Sequence, residues 1–253
     1  RPRGIMTSGS EEPNAIVQIN SGTNRTEPNV RATEVEIYEG LEASSQNCWP
    51  SVEFDIGGIN NFLSPFFPAG FYYKTFMWPK SFWFKIYEPF IRKAAGLGVA
   101  SIKHDKERYE HKYEYCDLLV TGSGPAGLAS AYAAAKNGAK VILAEDKSRF
   151  GGSLLTSEVS IGNQTGKEWA ENILAELQEM PNVKVKNRSQ VFGYYDHNMM
   201  VMSERISDHL SKSNKYMPRQ RLWYIRAKEV VISSGSIERP LVFGNNDTPG
   251  VML

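Results

Sequence analysis

The chain has 253 residues, which is enough to bury one or two hydrophobic cores. Its 29 basic and 28 acidic residues leave a formal net charge of +1, so charge gives no support for nucleic acid or an anionic membrane surface as a partner. No stretch approaches the roughly 18 uninterrupted apolar residues that span a bilayer, and no signal peptide is visible. We therefore predict a cytoplasmic protein that contacts neither nucleic acid nor membrane.

The two cysteines, Cys48 and Cys116, form neither a C-x-x-C pair nor any other ligand cluster. Disulfide frameworks, metal sites and iron–sulfur sites all need several such residues at suitable spacings. The sequence therefore predicts no metal ion and no iron–sulfur cluster. The chain also starts without Met and stops on an apolar run, residues 250–253, so we expect it to be a fragment of a longer protein.

Residues 1–46 are predicted to form a small β-rich piece. Residues 1–29 are rich in Gly, Ser, Asn and Pro, and the alternating run 15–19 among them is typical of a short strand. Apolar residues alternate with charged ones again over residues 31–38. We expect a second strand there.

Residues 47–113 form a second predicted region, which is irregular and aromatic. Aromatic side chains crowd residues 47–90, and prolines recur too often there for long helices or central strands. So many rings need a cover. Two interpretations stay open: a satellite core under a long loop, or a surface that packs on another subunit or on a missing part of the chain. The polar residues 97–112 are predicted to be a linker.

The strongest motif lies in the second half of the chain. Residues 116–121 are a short apolar run of strand length, and the sequence G-S-G-P-A-G follows at once. Residues 128–136 are strong helix formers, and residues 140–144 are a second apolar run. The glycine turn comprises Gly122, Ser123, Gly124, Pro125, Ala126 and Gly127, and the second run is followed by Glu145 and Asp146.

Each part of this motif has a physical reason in a dinucleotide site. Gly122 permits the tight turn, Gly124 lets the backbone approach a pyrophosphate, and Gly127 lets the helix pack closely on the sheet. The positive end of the helix then faces the phosphates. Glu145 is placed to accept both ribose hydroxyls of an adenosine, and its charge disfavours NADP relative to NAD or FAD. The alternative is a glycine-rich turn that binds no ligand.

The remaining sequence predicts further α/β elements. His197 is interpreted as a turn residue rather than a catalytic one, because it lies in a predicted hairpin turn. Residues 207–221 are predicted to be a solvated loop. The expected elements are a helix over residues 167–179, strands over residues 183–185, 190–194 and 228–232, and a hairpin turn at 196–198 that leads into residues 199–202.

Two short segments resemble flavoproteins with two dinucleotide-binding domains. Gly151, Gly152 and Ser153 look like their second glycine motif, whose loop runs close to the cofactor. Ser234 and Gly235, with a proline five positions after the glycine, resemble the A-T-G-x-x-x-x-P motif by which the chain leaves the first nucleotide domain. The small residues of that motif admit the cofactor close to the backbone.

We therefore predict an α/β fold, with a Rossmann-like three-layer dinucleotide-binding domain of this flavoprotein type over residues 114–253. The domain is expected to be incomplete, because such domains recover their last strand after an inserted second domain. The resemblance also implies that main-chain groups near Val191 contact the adenine ring. All these candidates bind a cofactor, and we recognise no catalytic nucleophile, acid or base.

Longer segments resemble the alpha subunit of heterotetrameric sarcosine oxidase, in its amino-terminal and NAD-binding portion. The most discriminating are residues 68–76, P-A-G-F-Y-Y-K-T-F, and the stretch from residues 237–240, I-E-R-P, to residues 249–253, P-G-V-M-L. Residues 1–5, 49–51 and 94–98 are also similar to that family.

The resemblance implies an oxidase that demethylates sarcosine to glycine, forms hydrogen peroxide and passes the one-carbon unit to tetrahydrofolate. It implies NAD in this chain, with FAD as the alternative, and FAD and FMN in the whole complex. The implied partners are a β subunit with several smaller subunits, and the chain alone is expected to be inactive. Residues 1–29 would be the remnant of a ferredoxin-like module without its cluster.

Two alternatives stay open at this point. Alpha subunits of related amino-acid dehydrogenases and of cyanide-forming glycine oxidases share much of this architecture and would bind FAD here. A different class of function is a structural module that docks partner subunits and binds no nucleotide.

Overall fold

The structure is a computed structural model, and it describes residues 16–21, 25–46, 48–51, 53–59, 62, 76, 78–94, 96–211, 214 and 216–236. The chain divides into two compact units, Arg1–Asp105 and Lys106–Leu253. The predicted motifs in residues 68–75 and 237–253 lie outside the described residues. Within the described part, every helix is too short or too polar to cross a membrane.

The first unit contains a three-stranded antiparallel sheet. Its strands are β1 (Ile16–Ser21), β2 (Arg25–Arg31) and β3 (Glu42–Ser45), in the order β2-β1-β3. Ile16 and Ile19 of β1 are buried, as the predicted strand 15–19 requires. The prediction of a strand over residues 31–38 is wrong, because β2 ends at Arg31 and a 3₁₀ turn follows it.

Strand β2 escaped prediction because its sequence, R-T-E-P-N-V-R, is polar and contains Pro28. It lies at the edge of the sheet, where a residue without an N–H group is tolerated. Asn29 adopts a φ of 63° and forms two bonds with Gln46: its N donates to Gln46 Oε1 at 2.7 Å, and its Oδ1 accepts from Gln46 Nε2 at 3.0 Å. Asn29 Oδ1 also accepts from Gly98 N at 2.8 Å. These bonds hold β2 to the segments that follow β3.

The aromatic region forms short helical turns where it is described, which agrees with its proline content. A 3₁₀ turn (Lys80–Phe82) leads into a π-helical turn (Trp83–Tyr87) and then into helix α1 (Glu88–Ala94). The ring of Tyr87 lies 5.2 Å from that of Phe76, measured between centroids. The segment is therefore irregular but contains local ring contacts.

Several rings of this region face solvent. Phe62, Trp78 and Phe84 are 83 %, 83 % and 82 % exposed, and Trp49, Phe54 and Phe90 are also exposed. The aromatic residues 66, 67 and 71–73 lie outside the described residues. Among the described rings, this exposure favours a surface for a partner over a satellite core.

The second unit is a six-stranded mixed sheet with two helices. The sheet order is β8-β5-β4-β11-β10-β9, in which the first four strands are parallel and the last three antiparallel. The elements are β4 (Tyr109–Thr121), α2 (Pro125–Lys136), β5 (Val141–Ala144), β6 (Ser160–Ile161), β7 (Gln164–Thr165), α3 (Gly166–Glu179), β8 (Val183–Lys186), β9 (Ser189–Tyr195), β10 (Met199–Arg205) and β11 (Gln220–Ile232). Strands β6 and β7 form a separate small hairpin.

Two strands are longer than the sequence predicted. Strand β4 begins inside the predicted linker 97–112, and β11 begins inside the predicted loop 207–221. Their polar first halves pair with each other from Tyr109 opposite Gln220 onward. The rings of Tyr113 and Tyr224 stack across this pair, with centroids 5.1 Å apart. The pairing is non-local, so local apolar content could not reveal it.

The sheet has a covered core on each face. Val120 and Leu143 pack with α2 and α3 on one face, whereas Leu119 and Ile142 pack on the other face with Met200, Met202 and Ile225. Neighbouring residues of β4 and β5 thus point to opposite faces, as strand geometry requires. The helices cover one face and residues of β10 and β11 the other. The predicted use of the methionines as core residues is confirmed, since Met200 and Met202 are buried.

The Glu114 carboxylate links β4 to residues beside and within two neighbouring parallel strands. Glu114 on β4 accepts a bond from Lys140 Nζ, just before β5, at 2.9 Å, and pairs with Lys184 Nζ on β8. Burial raises the pKa of Glu114, but the hydrogen bonds from Lys140 and Lys184 outweigh it and lower the pKa to about 2. Glu114 therefore stays charged in the folded protein to low pH.

This ion pair should make stability depend on pH. Because the folded pKa of about 2 lies below the ordinary value of 4.5, the stabilisation is present above pH 4.5 and is lost as pH falls toward 2. Glu114→Gln should lower the free energy of unfolding near neutral pH by about 1–2 kcal/mol, and by less near pH ~3. Urea denaturation at both pH values measures this.

The matched control is Glu171→Gln, which removes the exposed partner of Lys167 on α3, 3.9 Å away. It should change stability little at either pH. An equal loss at both pH values for Glu114→Gln would contradict the assignment.

Candidate functional site

The glycine turn connects the end of β4 to the start of α2. Two of its glycines are required by contacts within the protein. A Cβ atom on Gly122 would lie 2.4 Å from the carbonyl oxygen of Ser233, and one on Gly127 would lie 1.9 Å from the carbonyl oxygen of Gly122. Gly122 also has a φ of 97°, which favours glycine. These glycines form the tight turn and the close helix–strand contact of a dinucleotide motif.

Gly124 differs from both. No protein atom lies within 4 Å of the position that its Cβ would occupy, and its φ is −65°. Pro125 occupies the first turn of α2, and Leu128 N donates to Gly124 O at 2.9 Å, so the amides of Ala126 and Gly127 precede the first intrahelical bond. Open space beside these amides, at the positive end of the helix, fits a pyrophosphate.

Ser123, within the same turn, is fully buried. Its main-chain N–H and its hydroxyl both donate to Glu145 Oε2, at 2.9 and 2.5 Å. Its hydroxyl oxygen and its carbonyl oxygen each accept from Gly151 N at 3.1 Å. Ser123 therefore joins the glycine turn to the acid after β5 and to the second glycine loop.

Both carboxylate oxygens of Glu145 are used within the protein, and the residue is only 6 % exposed. Oε2 accepts the two bonds from Ser123, and Oε1 accepts from Lys147 N at 3.0 Å. A carboxylate offers about four acceptor positions, so about one is left, on Oε1. This arrangement has room for one ribose hydroxyl on Glu145 rather than the two that the sequence predicted.

The two acids after β5 have different surroundings. Burial raises the pKa of Glu145, the neighbouring Asp146 carboxylate raises it further, and hydrogen bonds from Ser123 and Lys147 oppose the rise. Asp146 is only half-buried; its carboxylate lies 3.7 Å from Lys147 Nζ, and its carbonyl oxygen accepts from the Arg205 guanidinium. Glu145 thus belongs to the interior of the turn, whereas Asp146 is accessible beside it.

The second glycine loop lies against the first. Gly151 and Gly152 have φ values of 122° and 53°, and a Cβ on Gly152 would lie 3.0 Å from Gly124 Cα. Ser153 follows in a 3₁₀ turn, Gly152–Leu155, and is exposed. The structure therefore brings Gly152 to the open side of Gly124, where the sequence predicted a loop close to the cofactor.

The end of β11 also reaches the turn, through a residue that the sequence analysis did not select. Ser233 Oγ donates to the carbonyl oxygens of Thr121 and Gly122, each at 2.9 Å. Ser234 Cα lies 3.2 Å from the Cβ position of Gly122, and Gly235 follows with a φ of 71°. The position of Ser233 just before the predicted pair was the usable signal, because small residues there permit this approach.

Val191 lies further from the turn. It packs its side chain on the core formed with Leu119 and Ile142, and it sits beside a bulge in the pairing of β9 with β10. Strand β9 begins with Ser189, whose N donates to the carbonyl oxygen of Glu145 at 2.7 Å. Main-chain contact between Val191 and an adenine stays a prediction. His197 lies in the turn between β9 and β10, as predicted.

Metal chemistry has no support in the described part of the chain, where no group of three or more His, Cys, Asp or Glu residues could hold an ion. Burial raises the pKa of Cys116 to about 12, so its thiol stays protonated near neutral pH. The thiol of Cys48 contacts Ser45 Oγ at 3.1 Å.

Comparison with known proteins agrees with the redox class. A family described as FAD dependent oxidoreductase matches residues 117–214, which contain the glycine turn and both acids. The alpha subunit of sarcosine oxidase from Rhizobium meliloti (strain 1021) is 52 % identical over 253 residues, covering 100 % of this chain and 26 % of that protein. The chain is related to sarcosine oxidase alpha subunits. The resemblance predicted from the sequence is thereby confirmed.

Other relatives are more distant. The sarcosine oxidase alpha subunit from Corynebacterium sp. (strain U-96) is 32 % identical over 257 residues, covering 100 % of this chain and 22 % of that protein. The chain spans about a quarter of the length of these relatives. Among solved structures, L-proline dehydrogenase from P. horikoshii aligns with 60 % of this chain and 28 % of its own at 23 % identity and a TM-score of 0.44, which is too distant to support an inference.

A second family match overturns two predictions. Residues 1–48 match a 2Fe-2S iron-sulfur cluster binding domain, so the prediction of a remnant without a cluster is wrong, and so is the prediction that the chain has no iron–sulfur cluster. Those predictions counted ligands: Cys48 is the only cysteine in residues 1–48 of the sequence, whereas a [2Fe–2S] centre takes four ligands. Ligand counting alone did not identify the domain. Because the cysteines of this segment do not supply such a set, we derive no chemical step through a cluster.

The contrast among the turn glycines is testable by substitution. Gly124→Ala should leave the protein folded, since its Cβ meets nothing, yet it should weaken adenine dinucleotide binding at least about tenfold by filling the space beside the amides. Gly127→Ala should instead destabilise the protein by about 3 kcal/mol through its clash with Gly122 O. Calorimetric titration and urea denaturation measure the two effects.

A control for added volume is Gly58→Ala in the first unit, whose Cβ position is also empty within 4 Å. It should change neither stability nor binding. Unchanged nucleotide affinity in folded Gly124→Ala protein would remove the pyrophosphate from this turn.

Proposed function

We propose that this chain binds the ADP half of an adenine dinucleotide at the glycine turn, as the cofactor-binding part of a sarcosine oxidase type of oxidoreductase. The observation that supports binding is the open position at Gly124, between two glycines whose Cβ positions are blocked by protein atoms. The match of residues 117–214 to FAD dependent oxidoreductases supports the redox class.

For the whole cytoplasmic complex we propose the reaction that the relatives imply. Sarcosine is oxidised and demethylated to glycine, oxygen is reduced to hydrogen peroxide, and the one-carbon unit passes to tetrahydrofolate. A bound dinucleotide would supply the two-electron redox chemistry. This chain's residues hold it: the amides of Ala126 and Gly127 face the pyrophosphate, Glu145 Oε1 accepts a ribose hydroxyl, and Gly152 limits the space beside Gly124. We assign no catalytic acid, base or nucleophile among the described residues.

NAD and FAD share the ADP half, so the turn itself serves both. The resemblance to the NAD-binding portion of sarcosine oxidase favours NAD, whereas the family match over residues 117–214 favours FAD. The charge of Glu145 beside the ribose opposes a 2′-phosphate and so disfavours NADP. A related polypeptide of opine oxidase from Agrobacterium tumefaciens (strain Ach5), 26 % identical over 145 residues, 55 % of this chain and 27 % of that protein, keeps other amine-oxidising complexes as the alternative.

Release of the cofactor decides between the candidates. Denaturation of the purified protein, after incubation with NAD or FAD and removal of free nucleotide, should release an adenine dinucleotide that chromatography identifies. FAD is distinguished from NAD by its visible absorbance and fluorescence. Gly124→Ala protein serves as the control and should release much less. If neither nucleotide is retained or bound, the protein is better explained as a docking module.

We also propose that the exposed aromatic residues of the first unit contact another subunit. Phe62, Trp78 and Phe84 expose most of their surfaces, and rigid aromatic rings are what interface cores select. The named relatives are alpha subunits, which supports the existence of partner subunits. The proposed partners are a β subunit with several smaller subunits, and the amine oxidation is assigned to the complex rather than to this chain.

The chain alone should therefore release no hydrogen peroxide from sarcosine, even when loaded with a dinucleotide. It should self-associate in light scattering, and Trp78→Ser with Phe84→Ser should reduce that association without lowering nucleotide affinity. Sarcosine turnover by the isolated chain would contradict this division of labour. A stable monomer would contradict the proposed contact surface.

A further inference from the structure

The position of Ser123 assigns it a role that the glycine motif does not specify. We infer that Ser123 is a positioning residue for adenosine recognition: its hydroxyl fixes the Glu145 carboxylate so that Oε1, and not Oε2, receives a ribose hydroxyl. This inference rests on the proposed function, because it requires an adenine nucleotide at the glycine turn.

The hydrogen bonds around Ser123 have a defined direction. Gly151 N–H can only donate, and it lies 3.1 Å from Ser123 Oγ, so the Ser123 oxygen accepts there. The single hydroxyl proton then goes to Glu145 Oε2, 2.5 Å away. The chain of bonds therefore runs from Gly151 through Ser123 to Glu145, and the Ser123 hydroxyl has no proton left for a ligand.

The same bonds determine which carboxylate oxygen is available. Oε2 receives the Ser123 N–H as well as the hydroxyl, which occupies both of its acceptor positions. Oε1 receives the Lys147 N–H at 3.0 Å and has about one position left. Because donors hold both oxygens, the carboxylate cannot rotate without breaking a bond. The charged groups near it are Asp146, Lys147 and Arg205, and none of them replaces the Ser123 hydroxyl on Oε2.

Removal of the hydroxyl should leave the turn folded. In Ser123→Ala, the main-chain N–H at position 123 can still reach Oε2, and Gly151 N can still donate to the carbonyl oxygen of residue 123 at 3.1 Å. The carboxylate loses one of three bonds, and with it the constraint on its rotation. The expected defect is therefore in the recognition of ribose rather than in folding.

The experiment measures Kd by calorimetry for ADP, 2′-deoxy-ADP and 3′-deoxy-ADP. The analogue that the wild-type protein binds more weakly identifies the hydroxyl that is recognised, and its Kd divided by that of ADP is the discrimination ratio. Glu145→Gln and Ser123→Ala should each reduce this ratio by about five- to tenfold. The double variant should show no further reduction, because Ser123 acts through Glu145.

Ser130→Ala is the matched control, since it also removes a serine hydroxyl, one that bonds Ala126 O at 2.7 Å on α2. It should leave the ratio unchanged. If Ser123→Ala fails to fold by circular dichroism, Ser123→Cys takes its place, because the thiol fills similar space but donates weakly.

The outcomes separate the inference from the proposed function. An unchanged ratio in the Ser123 variant, an equal loss of affinity for all three nucleotides, or an independent effect in the Glu145→Gln background would overturn the inference and leave the binding of ADP intact. Absence of ADP binding to the wild-type protein would overturn the proposed function, and the inference with it.

Discussion

The approach of Gly127 to Gly122 is the constraint on which the second unit depends. A Cβ atom at residue 127 would come within 1.9 Å of the Gly122 carbonyl oxygen, so only a hydrogen atom fits between helix α2 and the end of β4. This close approach lets Leu128 and Ala131 of α2 pack on Val120 of β4 in the core of the helix-covered face. It also sets the amino terminus of α2 directly beside the strand end. A wider separation would weaken the core and displace the helix amides that the proposed pyrophosphate needs.

The turn is held from the strands on both sides of β4. Ser233, after β11, bonds the carbonyl oxygens of Thr121 and Gly122, while Glu145, after β5, bonds Ser123. The carboxyl ends of three parallel strands thus meet at one turn, which is where open α/β sheets bind ligands. Side chains from the neighbouring strands fix the backbone of the turn, so Gly124 can remain open without leaving the turn free to collapse. A site prepared in this way spends little binding energy on ordering.

The sequence predicted the part of this arrangement that is written in consecutive residues. Strand, glycine turn, helix, strand and acid follow one another from β4 to Glu145, and each has its own local signal. The bonds that decide how Glu145 is used come from Ser123 and Lys147, and their geometry depends on the packed turn rather than on spacing. Ser233 was missed for the same reason, because its contact with Gly122 joins residues far apart in the chain. The polar halves of β4 and β11 were missed because each is stabilised by the other. The cluster-binding domain was missed because ligand counting cannot see a fold.

The position of Glu145 presents an electrostatic difficulty that the bonds around it resolve. A buried carboxylate close to a pyrophosphate site suffers both desolvation and repulsion, and burial does raise its pKa. The three donors on its oxygens, two main-chain N–H groups and the Ser123 hydroxyl, replace the water that burial removes and favour the charged form. The N–H groups of Ala126 and Gly127 lie on the open side of the turn, so the acid and the phosphate would draw on different donors of one loop. The turn can therefore hold a negative charge behind it and accept another in front, provided that Ser123 keeps its hydroxyl directed toward the acid.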